Sequence, residues 1–161
     1  MPGVSTRTWP TDWAECRTGV ACPTCAQGRP DETRGGVRFF RGNVVDVYLR
    51  KSAPLPGYSM AVWRGRHAAD LTELTVEELS GYWREVAMAS RALYAVFDPA
   101  QINYLTYGNS VPHLHTYLLL RYLDDPCPGL PLQPFIERPV AADELSRQRD
   151  QLLRALEAAS A

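Results

Sequence analysis

Lysine occurs once in these 161 residues, at Lys51, and histidine only three times. Scarce lysine beside abundant arginine and alanine reflects GC-rich coding more than any function. Acidic and basic side chains nearly cancel, 18 against 17, for a formal net charge of -1. That balance leaves no basic excess to neutralise phosphates and argues against an electrostatic nucleic-acid binder. No run of about 18 apolar residues is present, so no helical membrane span is expected. The first residues, Met1-Pro2-Gly3-Val4-Ser5, lack the charged-then-apolar order of a secretory leader. There is no internal repeat. A cytoplasmic protein is the expectation.

What is present is ordinary globular material, 45% hydrophobic and 22% charged, of a length that makes one domain with a workable core. The cysteines are Cys16, Cys22, Cys25 and Cys127, with Cys22 and Cys25 spaced as "CPTC". Disulfides and plain thiols are both possible. In a cytosolic chain, close pairs point first to metal or redox sites. A redox role fits poorly, because "CPTC" precedes no strand-helix unit of the thioredoxin kind. A metal role requires two further ligands.

The pattern along the chain predicts an α+β fold, a mostly antiparallel sheet of about five strands carrying one main helix and a C-terminal helix. Residues 1–35 lack periodicity and read as an irregular surface segment with the CxxC. Residues 36–125 form the main domain, and 126–161 a Pro-rich extension ending in a helix. Val37–Phe40 and Val44–Leu49, joined by Arg41-Gly42-Asn43, suit a hairpin. "KSAPLPGY" is a loop, since each proline removes a ladder donor. Tyr58–Trp63 makes a third strand, and Ile102–Tyr107 and Pro112–Arg121 two more. Thr75 with Glu78 forms a capping box ahead of an apolar helical stripe that ends at Asp98-Pro99. A last helix starts near Ala142. The main helix is apolar over a wider arc than one core needs, and a homodimer is expected.

Two of the histidines fall in "YGNSVPHLHTYLLLRY", Tyr107 to Tyr122. At strand spacing, His113, His115, Tyr117, Leu119 and Arg121 share one side, and the leucines of the other side face the core. The amides of Gly108-Asn109-Ser110 and the Ser110 hydroxyl make a candidate anion cradle beside a neutral imidazole. That pairing suits attack on phosphorus.

The stretch "INYLTYGNSVPHLHTYLLLRY" resembles the signature of the histidine triad superfamily, His-φ-His-φ-His-φ-φ followed by Arg. Its lead-in is closest to a prokaryotic branch labelled dinucleoside-polyphosphate hydrolase-like. "PGYSMAVWRGRHAADLTELT" is similar to the segment that precedes the family's helix, with one extra residue, and the likeness spans roughly residues 20–125. The resemblance implies a hydrolase or nucleotidyl transferase acting on a nucleotide or nucleotide-like small molecule. It implies His115 as nucleophile, forming a covalent nucleotidyl-histidine, with His113 and Tyr117 as the other catalytic positions. It further implies substrate contacts at Asn103, Asn109, Ser110 and Arg121. A structural zinc on Cys22, Cys25, His67 and His113 is the implied cofactor.

Three departures from the family pattern stand out. Tyr117 replaces the third histidine, Arg64-Gly65-Arg66 replaces Pro-Lys, and the family's ribose contact falls near Arg50-Lys51-Ser52. Arginine and lysine only donate, so they suit an additional anion better than sugar hydroxyls. Transfer or phosphorolysis through the same histidine, and zinc-stabilised nucleotide binding without turnover, remain open alternatives.

Overall fold

The structure is a computed structural model that describes residues 8–133 and 135–160. The Met1–Ser5 stretch, on which the expectation of no secretory leader rests, lies outside them. The chain runs through α1 (Trp13–Arg17), α2 (Pro23–Gln27), β1 (Gly36–Arg41), β2 (Val45–Arg50), β3 (Ser52–Ala53) and β4 (Ser59–Trp63). It continues through a 3-10 turn (Leu71–Glu73), α3 (Val76–Phe97), β5 (Gln101–Thr106), β6 (His115–Arg121), β7 (Arg138–Pro139) and α4 (Ala142–Ser160). Five strands make one antiparallel sheet in the order β1-β2-β4-β6-β5, and β3 pairs separately with β7.

The alternation of side chains divides the sheet into two faces. Val45, Val47, Leu49, Ala61, Trp63, Leu118, Leu120 and Ile102 pack against Tyr82, Val86, Ala89 and Leu93 of α3. Leu145 and Leu152 of α4 join the same core, so the narrow leucine stripe of the last helix packs on the body. On the other face, the register aligns Asp46 with Val62 and His115, and Tyr48 with Met60 and Tyr117. This face carries the candidate site.

Local sequence explains the main helix. Thr75 Oγ1 accepts from the Glu78 amide at 3.2 Å, and Glu78 accepts from the Thr75 amide at 2.9 Å, closing the capping box. Asp98 ends the helix at φ 46 with Pro99 behind it. Ser90 is buried and takes a hydrogen bond from the Tyr104 hydroxyl at 3.2 Å, tying the helix to β5. The Glu85 carboxylate accepts from the amides of Asn43, Val44 and Val45 at 2.8, 3.0 and 2.8 Å, fixing the β1–β2 turn onto α3. A side chain at Gly42 would run into that carboxylate, which explains the glycine.

Three sequence expectations need correction. The segment before residue 35 is not wholly irregular, for it contains two one-turn helices, the second opened by Pro23 at its first position. The sixth strand begins at His115 rather than Pro112, because the Leu114 amide is taken by the Ala68 carbonyl outside the ladder. His113 therefore lies ahead of the strand. The "KSAPLPGY" loop holds the short β3, placed where no proline must donate.

Candidate functional site

The short helix α2 brings the cysteines to the base of the sheet. Cys22 Sγ and Cys25 Sγ both lie 3.5 Å from His113 Nδ1, and Cys25 Sγ lies 3.3 Å from His67 Nδ1. All four ligand atoms fall within 4.8 Å of one another. A tetrahedron with metal–sulfur bonds of about 2.3 Å and metal–nitrogen bonds of about 2.0–2.1 Å has sulfur–nitrogen edges of roughly 3.5 Å. The donor set thus fits a closed S2N2 centre. The outer nitrogens are oriented for it as well. His113 Nε2 is 2.8 Å from the Trp63 carbonyl and His67 Nε2 is 3.1 Å from the Arg17 carbonyl. A carbonyl only accepts, so each Nε2 carries the proton and each Nδ1 is the free lone pair. Burial holds the His113 imidazole down to about 4, which keeps it neutral at ordinary pH. Burial and the adjacent Cys22 push the Cys25 thiol up to about 11, so thiolate ligation depends on a cation's charge.

His113 also supports the next histidine. Its own carbonyl lies 2.7 Å from His115 Nδ1, which by the same reasoning is an N–H. His115 Nε2 is left unprotonated, and the residue lines a cavity of about 410 Å³. Burial lowers the His115 pKa, with the His113 carbonyl opposing, and the ring stays neutral near pH 7. Asn109 and Ser110 line the same cavity. Among the described residues, nothing accepts from their amides. The indole of Trp13 donates to the Gly108 carbonyl at 3.0 Å and so anchors this turn to the N-terminal segment.

Tyr117 stands edge-on to His115, with ring centroids 5.3 Å apart, and stacks on Tyr58 at 5.5 Å. Burial raises the pKa of its hydroxyl, which remains a donor. The cavity is otherwise cationic. Arg34, Arg50 and Arg64 line it, and among the described residues no carboxylate does. Arg64 is engaged, donating to Asp46 and to the Tyr48 hydroxyl at 3.0 Å each. Asp46 is fully buried among Arg29, Arg38 and Arg64, so one carboxylate gathers three guanidiniums behind the site.

The structure brings together His113, His115, Tyr117, Asn109 and Ser110, and separately the four ligand residues. It does not bring Asn103 and Arg121 to the cavity. Arg121 does lie on the open face, as the strand spacing predicts, with Asn103 beside it, but the extension from Asp125 onward covers that end. Arg121 donates to Asp125 at 2.6 and 2.9 Å, to Asn103 Oδ1 at 3.1 Å, and to the carbonyls of Cys127 and Leu130 at 2.7 and 2.8 Å. These contacts saturate its guanidinium, and both residues hold the extension in place. Sequence reasoning missed Arg34 and the Asp46 cluster. The one available signal was an aspartate inside "VVDVYL", an apolar strand run that tolerates a charge only when it is paired.

Comparisons with known proteins bear on the fold. The chain superimposes on a histidine triad protein from Bradyrhizobium japonicum with TM-score 0.66 and 22% identity over 76% of this chain and 91% of that one. The chain has the histidine triad fold. A zinc-bound histidine triad family protein from Mycobacterium smegmatis gives 0.65 at 17% identity, covering 87% and 96%. The Plasmodium falciparum diadenosine triphosphate hydrolase gives 0.58 at 11%, covering 81% and 87%. No family model matches the sequence, and no curated protein does. No helix among the described residues is long and apolar enough to cross a membrane.

Proposed function

We propose that this protein is a nucleotide-processing enzyme that transfers a nucleotidyl group to His115 and then to water or another acceptor. One observation carries the reading. An imidazole with Nδ1–H fixed on a carbonyl and Nε2 bare opens into a cavity lined by Asn109, Ser110 and arginines, without a carboxylate among the described residues. Nε2 attacks the phosphorus, a nitrogen–phosphorus bond forms, and the bond to the leaving oxygen or nitrogen breaks. Charge on the phosphoryl oxygens falls to the amides of Asn109 and Ser110 and to the Ser110 hydroxyl. Tyr117, still protonated, donates to the leaving group where the family has a third histidine. Water then cleaves the nitrogen–phosphorus bond to release the nucleoside monophosphate. A different acceptor would make the same intermediate a transferase step.

The reading includes a structural zinc on Cys22, Cys25, His67 and His113, supported by the ligand geometry and by the zinc-bound protein of the same fold. Thiolate ligation calls for a reducing compartment, in keeping with a cytoplasmic protein. The reading also includes a homodimer, supported by exposed Tyr94 on α3 beside exposed Tyr104 on the edge strand β5.

Three outcomes follow. Intact mass after mixing with adenylylated and guanylylated compounds should show a nucleotidyl adduct. His115→Ala should lose the adduct and turnover, and Ser110→Ala should slow turnover by roughly 10- to 100-fold. Full turnover in His115→Ala contradicts the covalent route, and binding without any adduct or turnover leaves a nucleotide-binding protein. Elemental analysis of freshly reduced protein should find about one zinc per chain, and Cys25→Ser should lower the melting temperature by several degrees. Metal-free protein with unchanged stability contradicts the site. Light scattering at micromolar concentration should give the mass of a dimer, and a monomer removes that part of the reading.

A further inference from the structure

Arg50 is the last residue of β2 and lines the cavity that holds His115. Its Nε is buried, and it is the one buried side-chain nitrogen or oxygen among the described residues without a hydrogen bond. No ion pair reaches its guanidinium either. The Glu137 carboxylate influences Tyr58 and Tyr117, yet among the described residues it forms no ion pair with Arg50. The neighbouring arginines show what the fold does with a guanidinium whose role is structural. Arg38, Arg64 and Arg121 are each bound to a buried carboxylate. Arg50 is not. Leaving a buried charged donor unpaired is more destabilising than leaving a neutral one unpaired.

The chain nevertheless makes room for this side chain. The Arg50 guanidinium lies against the backbone of Gly35, its terminal nitrogen standing where a Cβ at that residue would be. Arg34, next in sequence and exposed, lines the same side of the cavity. In the sheet register, Arg50 stands two strands over from His115 and four residues beyond Asp46, which is level with His115. Those offsets are roughly 10 Å across and 13 Å along the strands. A guanidinium set that far from the nucleophile on the wall of the same cavity is placed for a unit of substrate beyond the phosphoryl group. In a nucleotide that unit is the sugar.

We infer that the preferred substrate carries a second phosphate, on the sugar of its nucleotidyl half, and that Arg50, with Arg34 at the rim, is the site that binds it. This rests on the nucleotide reading above and narrows it. Unmodified sugar hydroxyls would offer their protons to a group that has no lone pair to receive them, whereas a phosphate oxygen accepts from Nε and a terminal nitrogen together.

Calorimetry on the His115→Asn protein, which removes turnover, tests the inference. The probes are the 5′-monophosphates of adenosine and guanosine and the corresponding 2′,5′- and 3′,5′-bisphosphates. At least one bisphosphate should bind about 10- to 100-fold more tightly than its monophosphate, the worth of one bidentate charge-assisted contact. Adding Arg50→Met should bring the two within about twofold of each other, with monophosphate affinity held. Adding Arg50→Lys should keep part of the preference, which separates lost charge from a disturbed fold. Equal binding of mono- and bisphosphates by His115→Asn, or a preference that survives Arg50→Met, overturns the inference and leaves the nucleotide reading intact. No binding of any of the six compounds overturns both.

Discussion

His113 is held by three separate interactions, and the site depends on all of them. Its Nε2 donates to the Trp63 carbonyl at the end of β4, its Nδ1 faces Cys22 and Cys25, and its carbonyl accepts a hydrogen bond from His115 Nδ1–H. One residue therefore joins the sheet, the N-terminal cysteine segment and the nucleophile. Because the ring is buried and neutral, it can serve as a ligand without first losing a proton. Because its carbonyl is fixed by the same anchoring, His115 keeps one tautomer, with the reactive nitrogen turned to the cavity. A zinc at the four-ligand cluster would thus act on the chemistry only through position.

The arginines divide into two kinds around this junction. Asp46 and Asp125, both buried, bind Arg29, Arg38, Arg64 and Arg121, and these clusters fasten the N-terminal segment and the Pro-rich extension to the open face of the sheet. Each keeps a guanidinium in a defined place by satisfying it. Arg50 and Arg34 keep their charge available inside the cavity. The field of the site is positive although the protein as a whole is slightly acidic, which shows how little net charge says about a single cleft.

Much of this architecture could be read from the sequence because the signals were local. The capping box at Thr75, the hairpin over residues 37–49 and the alternation through "LHTYLLLR" each follow from a few adjacent residues whose preferences agree. The metal cluster was legible for a different reason. Only three histidines exist, and likeness to a known family assigned two of them to the cysteine pair. Where the reading failed, the deciding contacts were distant. Strand alternation put Arg121 on the correct face and family likeness alone named Asn103, but nothing near them in sequence shows that residues 125–132 fold back over that end. His113 was placed inside a strand because its spacing to His115 fits one, whereas a single bond from Leu114 to Ala68 ends the ladder earlier. Arg50 was recognised as a cation in an unusual place, and its orphaned Nε became visible only once the walls around it were in position.

The small number of histidines makes the central claim directly measurable. Long-range nitrogen–proton correlation spectra of the reduced, zinc-loaded protein contain three imidazoles, and each has a defined expectation. His67 and His113 should show protonated Nε2 with Nδ1 shifted by metal, and His115 should show protonated Nδ1 with a bare Nε2. A His115 ring protonated at Nε2, or a His113 Nδ1 bearing a proton in zinc-loaded protein, would contradict the claim that His113 joins the metal site to the nucleophile.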